Sequence, residues 1–198
     1  PSILENLCTL GFLEPTEIQE KAIPLLLNEN RDFIGLAQTG TGKTAAFGLP
    51  CIQQIDPGIM APQALIIAPT RELCIQISLD LKKFAKNMWN IRILAVYGGS
   101  PIGPQIRALK EGTHIVVATP GRLVDMIERK VIAMDDIQRV ILDEADEMLN
   151  MGFKEDMEFI LSNTPEEKLT ALFSATMSKE IREIASNFLN DPLELTIG

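Results

Sequence analysis

Cysteine is scarce in this sequence of 198 residues, and its three cysteines form no recognisable framework. Cys8, Cys51 and Cys74 are odd in number and lack the paired spacing of metal ligands. No apolar run reaches the length of a membrane span, and no segment resembles a secretory signal. These absences favour a cytoplasmic protein whose thiols are reduced and semi-buried.

Positive charge is also in short supply, because 18 Lys and Arg face 27 Asp and Glu and leave a formal net charge of −9. A protein that binds nucleic acid by bulk electrostatics has the opposite balance. Acidic segments such as 155–158 account for much of the excess as solvated helix faces. Any surface for nucleic acid is therefore predicted to be a small strip on an acidic body, with weak affinity that falls quickly as salt rises.

The strongest positive signal directly follows the apolar run Phe33–Leu36. It consists of Ala37, Gln38, Thr39, Gly40, Thr41, Gly42, Lys43 and Thr44. The glycines let backbone N–H groups converge on phosphate oxygens at the positive end of the next helix. In such a loop Lys43 reaches the β- and γ-phosphates and the Thr44 hydroxyl ligates Mg²⁺. The pattern predicts binding of a nucleoside triphosphate, although Ala37 stands where glycine is usual. A plain glycine-rich turn is the alternative.

A second signal follows the apolar run 140–142, where Asp143 and Glu144 end a predicted buried strand. Carboxylates are costly there unless they hold a cation or transfer protons. In phosphate-loop ATPases the Asp holds Mg²⁺, usually through water. Glu144 is then placed to act as general base on the attacking water. The alternative is a helix start with Asp143 as the N-cap, and the two interpretations are compatible.

Asp143-Glu144-Ala145-Asp146 spells the name of the DEAD-box RNA helicases, and the chain resembles that family from Gly11 to about Thr196. The further segments that resemble family motifs are the adenine motif at 11–19, RNA-contacting motifs at 69–73, 98–99 and 119–122, and the motif at 174–176 that couples hydrolysis to duplex separation. All of them occur in the family's order. The resemblance implies ATP and Mg²⁺ as ligands and sequence-nonspecific RNA as the partner.

The resemblance also implies roles for individual residues. For adenine, Phe12 offers a flat face, Thr16 a hydroxyl near the phosphate loop, and Gln19 an amide that matches the base. Core packing is the alternative for Phe12, and an exposed helical amide is the alternative for Gln19. The residues implied in RNA backbone contact are Pro69, Thr70, Arg71, Gly98, Gly99, Thr119, Pro120, Gly121 and Arg122. For these, a helix cap at Thr70 and a simple turn at 119–121 are the alternatives.

Hydroxyls at the end of another predicted strand complete the set of candidate residues. Ser174 and Thr176 are predicted to hydrogen-bond Asp146 and so link the nucleotide site to domain closure. The alternative is a hydroxyl-rich turn that caps the helix beginning near Ser178. His114, the single histidine, opens a buried strand and is predicted to be structural.

The alternation of short apolar runs with helical segments predicts the fold. Apolar runs lie at 33–37, 64–68, 92–96, 114–118, 139–142, 168–173 and 193–196, and most have the unbroken character of strands buried on both faces. Helical periodicity is clearest at 71–88 and 178–188. We therefore expect an α/β fold of the RecA-like P-loop NTPase type, with a mainly parallel central sheet and helices on both faces.

The family's core has two such domains, with ATP and RNA held in the cleft between them. We expect the whole chain, 1–198, to be the N-terminal, ATP-binding domain, to be monomeric, and to require a C-terminal RecA-like domain that it does not contain. The predicted function is that of an ATP-dependent RNA helicase. Two alternatives remain: a nucleotide-binding module that is inactive alone, because the transition-state arginines are absent, and a P-loop ATPase that acts on DNA.

Overall fold

The computed structural model describes residues 2–11, 14–28, 31–38, 40–88 and 90–197. Seven parallel strands form one sheet in the order β3-β4-β2-β5-β6-β1-β7. They are β1 (Phe33–Leu36), β2 (Ala64–Ile67), β3 (Ile93–Val96), β4 (Ile115–Ala118), β5 (Arg139–Leu142), β6 (Leu169–Ser174) and β7 (Leu193–Thr196). Each predicted strand is confirmed to within about one residue.

Helices connect the strands. They are α1 (Ser2–Thr9), α2 (Glu17–Asn28), α3 (Lys43–Gln53), α4 (Arg71–Phe84), α5 (Ile102–Glu111), α6 (Pro120–Glu128), α7 (Ala145–Asn150), α8 (Lys154–Ser162) and α9 (Lys179–Phe188). α9 begins as predicted, because the Ser178 hydroxyl accepts a hydrogen bond from the Ile181 N–H. None of the helices in the described part of the chain is long and apolar enough to cross a membrane.

The predicted end of the helix at 71–88 was wrong, since α4 ends at Phe84. Asn87 has a φ of 71°, in the left-handed region, so the helix cannot continue through it. The buried amide of Asn6, from α1, donates hydrogen bonds to the carbonyl oxygens of Phe84 and Lys86. A residue distant in sequence therefore binds the carbonyls at the helix end.

The alternation of side chains along each strand divides the core into two layers. Phe33, Ile66 and Ile141 point to the face that α1–α4 cover. Their neighbours, such as Ile34 and Leu65, point to the face that α5–α9 cover. Because both faces are buried, the central strands are mostly apolar, with Arg139 at the start of β5 and Thr170 and Ser174 in β6 as polar exceptions. Since all the strand pairings are parallel, every strand has its carboxyl end at the same edge of the sheet, where ligands bind in open α/β folds.

Two smaller predictions concern the cysteines and the histidine. All three cysteines are free thiols, as predicted, but the prediction that they are semi-buried was wrong: Cys51 and Cys74 are buried and Cys8 is exposed. His114 is fully buried, and its Nδ1 accepts a hydrogen bond from the Arg92 N–H at 2.9 Å. This contact between loops fits the predicted structural role.

Candidate active site

The predicted phosphate loop lies between β1 and α3. The Ala37 N–H donates to the carbonyl of Ser174 at 2.9 Å, which continues the sheet pairing one residue past β1. Gly40 and Gly42 then have φ values of 79° and 87°, a conformation that favours glycine. The exposed Gln38 closes the turn by accepting a 2.8 Å bond from the Thr41 hydroxyl at its carbonyl. Thr39 lies outside the described residues.

The predicted adenine motif at 11–19 is hydrogen-bonded directly to this loop. The Gln19 Nε2 donates to the carbonyl of Gly42 at 3.2 Å, and its Oε1 accepts from the Thr16 N–H at 3.0 Å. The Thr16 hydroxyl donates to the carbonyl of Thr41 at 2.7 Å. A Cβ at Gly42 would lie 2.5 Å from Gln19 Nε2, so glycine is required there for space as well as for φ. Gln19 is buried, and the alternative of an exposed amide is wrong. Phe12 lies outside the described residues.

The two main sequence signals meet in a buried ion pair. The Lys43 Nζ lies 3.3 Å from Asp143 Oδ1, and their side chains are only 8% and 4% exposed. Burial raises the pKa of Asp143, and Lys43 opposes this rise without cancelling it. Asp143 is not the N-cap of the following helix, because α7 begins at Ala145 with Glu144 in the cap position. That alternative is wrong.

Glu144 has a strained backbone. Its φ of 50° and ψ of 51° lie in the left-handed region, which is unusual for a residue other than glycine. Residues with such strained backbones are concentrated at functional sites. Its N–H donates to Asp143 Oδ1 at 3.0 Å, which helps to hold this conformation. The Glu144 side chain is half-buried, and burial, followed by the nearby Asp143, raises the pKa of its carboxyl. A raised carboxyl pKa suits a general base near neutral pH.

These residues surround one cavity of about 400 Å³. Its polar lining comprises Gln19, Gly40, Gly42, Lys43, Thr44, Asp80, Lys83, Asp143 and Glu144, and its apolar wall comprises Leu10, Ala45, Leu73 and Phe84. That volume lies in the range of small-molecule sites. Within the described residues no group of three or more His, Cys, Asp or Glu could hold a metal. The buried carboxylate of Asp143 and the hydroxyl of Thr44, which line the same cavity, nevertheless fit Mg²⁺, because this ion usually takes one or two carboxylates with water and phosphate oxygens.

The predicted RNA-contacting residues lie at the ends of β2, β3 and β4, along the same edge of the sheet. Thr70 does cap α4, since its Oγ1 accepts from the Leu73 N–H at 3.1 Å. The Arg71 guanidinium stacks 4.9 Å above the ring of Tyr97. Gly99 has a φ of 78°, and Gly98 beside it is exposed. The structure therefore brings the first two of these motifs together through Tyr97.

The third predicted RNA-contacting motif, 119–122, lies at the start of a helix. The alternative, a simple turn at 119–121 that leads into a helix, predicted the same position. Thr119 is the N-cap of α6, Pro120 is the first residue of the helix, and Gly121 is exposed. Pro69, in the first motif, is buried. The Arg122 side chain turns back towards the β3 end, where it donates to Gln105 Oε1 and to the Ser100 carbonyl, each at 3.0 Å.

Sequence reasoning missed Tyr97 and Gln105. Tyr97 is the only tyrosine and directly precedes Gly98, which could have drawn attention to it. Gln105 occupies a position between Ile102, Ile106 and Leu109 on the inward stripe of α5, where an apolar residue is expected. A polar side chain in such a position signals a specific hydrogen-bonding task.

One of the two predicted contacts with Asp146, the second residue of α7, is present. The Thr176 hydroxyl donates to Asp146 Oδ2 at 3.2 Å. The buried Ser174 hydroxyl instead donates to the carbonyl of Thr176 at 2.6 Å, so it shapes the turn. The cap of α9 is Ser178 and neither of these residues. The predicted bond to Asp146 is therefore confirmed for Thr176 and was wrong for Ser174, whose only hydroxyl proton is used within the turn.

Known proteins share this arrangement. The sequence profile described as "DEAD/DEAH box helicase" matches residues 16–184. "ATP-dependent RNA helicase CshA" of Listeria monocytogenes is 55% identical over 190 residues, which cover 96% of this chain and 36% of that protein. "ATP-dependent RNA helicase DeaD" of Escherichia coli is 50% identical over 195 residues, which cover 98% of this chain and 31% of that protein. The chain thus spans about a third of these relatives.

Solved structures agree with the sequences. A DEAD box protein from the hyperthermophile Methanococcus jannaschii superposes with a TM-score of 0.95 at 43% identity, covering 98% of this chain and 53% of that one. The yeast DEAD-box splicing factor Prp28 gives a TM-score of 0.92 at 35% identity, covering all of this chain and 49% of that one. The predicted RecA-like fold is thereby confirmed. Since the matched profile runs from the adenine element through the phosphate loop and the acidic strand end into α9, the chain belongs to the DEAD/DEAH box helicase family.

Proposed function

We propose that this chain is the ATP-binding domain of an ATP-dependent RNA helicase, in which RNA-stimulated ATP hydrolysis is coupled to local separation of an RNA duplex. The observation that supports this most strongly is the ion pair between Lys43 and Asp143. It joins the phosphate loop to the acidic strand end inside one cavity, together with Gln19 and Glu144. Two buried charges at that depth are costly for the fold and are explained by a charged ligand that both groups bind.

The roles of the residues follow from their positions. Lys43, with backbone N–H groups from residues 38–44, binds the β- and γ-phosphates of ATP at the start of α3. Thr44 and Asp143 would hold Mg²⁺, which neutralises phosphate charge when bound. Glu144 accepts the proton of the attacking water, and its raised pKa makes it a stronger base than an exposed glutamate. Gln19 and Thr16, with Phe12, read the adenine base.

RNA binding is proposed for the strip formed by the ends of β2, β3 and β4. Hydroxyls, backbone N–H groups and the guanidinium groups of Arg71 and Arg122 suit contacts with phosphates and 2′-hydroxyls better than contacts with base edges. Sequence preference is then weak. The formal net charge of −9 limits the affinity of this strip, which should fall quickly as salt rises.

A second RecA-like domain is part of the proposal. The relatives are about three times as long as the matched segment, and a partner domain would supply the positive charges that complete the transition-state site. The bond between Thr176 and Asp146 would transmit domain closure to the acidic strand end. We propose a cytoplasmic location, and that this chain alone is a monomer with little or no turnover.

Nucleotide selectivity is the first test. Calorimetry on this chain with ADP, a nonhydrolysable ATP analogue and GDP, in the presence of Mg²⁺, should show binding of the two adenine nucleotides only. Lys43→Ala should abolish that binding, because it removes the phosphate contact, whereas Lys21→Ala, on the exposed face of α2, should leave it unchanged. Equal affinity for ADP and GDP would contradict the role of Gln19.

Turnover in the full-length protein is the second test. Glu144→Gln keeps the size and shape of the side chain but removes the base. We expect it to lower RNA-stimulated hydrolysis at least about 100-fold while leaving nucleotide affinity unchanged. The matched control is Glu147→Gln on the exposed side of α7, which should retain full activity. Retained turnover in Glu144→Gln would refute the assigned base, and stimulation by DNA equal to that by RNA would favour the DNA-directed alternative.

A further inference from the structure

Gln105 is a buried polar residue between two of the proposed RNA-binding motifs. It lies on α5, its exposed fraction is 7%, and it is the one buried residue of that helix. Burying an amide at that position is costly unless both its donor and its acceptor are used. The contacts of this side chain therefore indicate what it does.

The amide of Gln105 makes one bond in each direction. Its Nε2 donates to the carbonyl of Tyr97 at 3.2 Å, and its Oε1 accepts from Arg122 Nη1 at 3.0 Å. Only this orientation of the amide satisfies both neighbours, since a carbonyl cannot donate and a guanidinium cannot accept. Arg122 is fixed a second time by the Ser100 carbonyl, which accepts from Nη2 at 3.0 Å.

Fixing Arg122 matters for the binding of RNA. A free arginine side chain samples many rotamers, and ordering it on binding costs affinity. Here Gln105 Oε1 and the Ser100 carbonyl bind Nη1 and Nη2 before RNA arrives, and these bonds use two of the five N–H donors that a guanidinium offers to acceptors such as a phosphate oxygen. The arginine is therefore preorganised.

The same amide also extends to the other two motifs. The carbonyl it binds belongs to Tyr97, and the ring of Tyr97 lies under the guanidinium of Arg71 at 4.9 Å. Tyr97 leads directly into Gly98 and Gly99. One side chain thus connects the turn after β3, the start of α6 and, through a stacked ring, the start of α4.

We propose that Gln105 is a positioning residue for RNA binding: it holds Arg122 and the turn at Gly98 and Gly99 in the geometry that receives the RNA backbone, without contacting RNA itself. The inference rests on the proposed RNA-binding function. It goes further by assigning a role to a helix that contributes none of the family motifs.

The test replaces Gln105 by methionine, which has a similar length and helix propensity but no hydrogen-bonding amide. RNA affinity is measured by the anisotropy of a short fluorescein-labelled oligouridylate at low salt, with Mg²⁺ and a nonhydrolysable ATP analogue. Nucleotide affinity is measured on the same sample. We expect the Kd for RNA to rise about five- to tenfold, the cost of ordering one arginine side chain on binding, and the Kd for nucleotide to stay unchanged.

A matched control is available in Gln63. It is also buried, 3% exposed, and its amide binds backbone groups of the loop that follows α3, at the opposite edge of the sheet. Gln63→Met should lower stability without changing the Kd for RNA. If Gln105→Met weakens RNA and nucleotide binding alike, or if Gln63→Met weakens RNA binding equally, the effect is general destabilisation and the inference is overturned.

A double-mutant cycle shows whether Gln105 acts through Arg122. Arg122→Ala alone should weaken RNA binding. When Arg122→Ala is already present, adding Gln105→Met should change the Kd less than about twofold, because most of its effect depends on that arginine. If Arg122→Ala has no effect, the proposed RNA strip is wrong at that position. If Arg122→Ala weakens binding and Gln105→Met does not, the strip stands and only the role of Gln105 fails.

Discussion

Replacing Lys43 by methionine should destabilise the domain by exposing the cost of one buried charge. The Lys43 Nζ is 3.3 Å from Asp143 Oδ1, and neither side chain is more than 8% exposed. Methionine keeps the length of the side chain and removes the cation. The Asp143 carboxylate then retains the N–H of Glu144 as a hydrogen-bond donor but has lost its counter-ion. Breaking a buried pair costs about 3–5 kcal/mol, and the adjoining cavity favours the lower end, a loss of about 3 kcal/mol in the free energy of unfolding.

The loss should depend on pH. Burial already raises the pKa of Asp143, and Lys43 opposes that rise. Without Lys43 the pKa of the folded state moves further above that of the unfolded chain. The destabilisation is then complete at pH values above the pKa of Asp143 in the folded variant. It disappears at pH values below the pKa of Asp143 in the unfolded chain, where the carboxyl is protonated in both states. The difference in stability between variant and wild type must therefore shrink as the pH falls towards about 4.

The assay is urea unfolding followed by circular dichroism, in EDTA and without nucleotide, at about pH 7.5 and about pH 4.5. Adding Asp143→Asn to Lys43→Met removes the unpaired buried carboxylate and should restore most of the lost stability. Asp143→Asn alone is the control for the second change. A loss of equal size at both pH values, or no recovery in the double variant, would refute the electrostatic explanation and indicate lost packing.

Two further predictions concern the core. Gly35→Ala should lower the free energy of unfolding by about 1–3 kcal/mol, because its Cβ would lie 2.8 Å from the ring of Phe173; an unchanged urea midpoint would contradict this. Among the thiols, burial raises the pKa of Cys51 to about 11 and that of Cys74 to about 12, so a thiol reagent at mildly alkaline pH should modify only the exposed Cys8 in the native protein. Mass spectrometry of the labelled peptides would show whether a second site reacts before unfolding.

Much of the fold could be predicted because parallel strands buried on both faces leave a direct trace in sequence. The runs around Phe33–Leu36 and Ala64–Ile67 have no polar alternation, and each is followed by small or polar residues that form the site. The end of α4 could not be predicted in this way. The carbonyls at that end are bound by Asn6, whose amide approaches from α1, and helical periodicity contains no information about such a distant contact.

The candidate site divides in the same manner. The phosphate loop and the acidic strand end were evident, since glycines and charges next to apolar runs have few structural explanations. Two other features were not evident from the sequence: the hydrogen bond between Gln19 and Gly42, and the left-handed backbone of Glu144. Both arise only when separate segments pack together. The roles assigned to these residues towards ATP and RNA remain predictions.

The order of the strands also bears on how the domain avoids aggregation. The two outer strands, β3 and β7, are each only four residues long, and β7 alternates half-buried with exposed residues, including Glu194. Short edges and an exposed charge on the outer strand hinder pairing with another copy of the chain, which is the usual route from an open sheet to fibrils. Replacing Glu194 by a β-branched apolar residue would remove that protection, and a rise in light scattering on mild heating would reveal it.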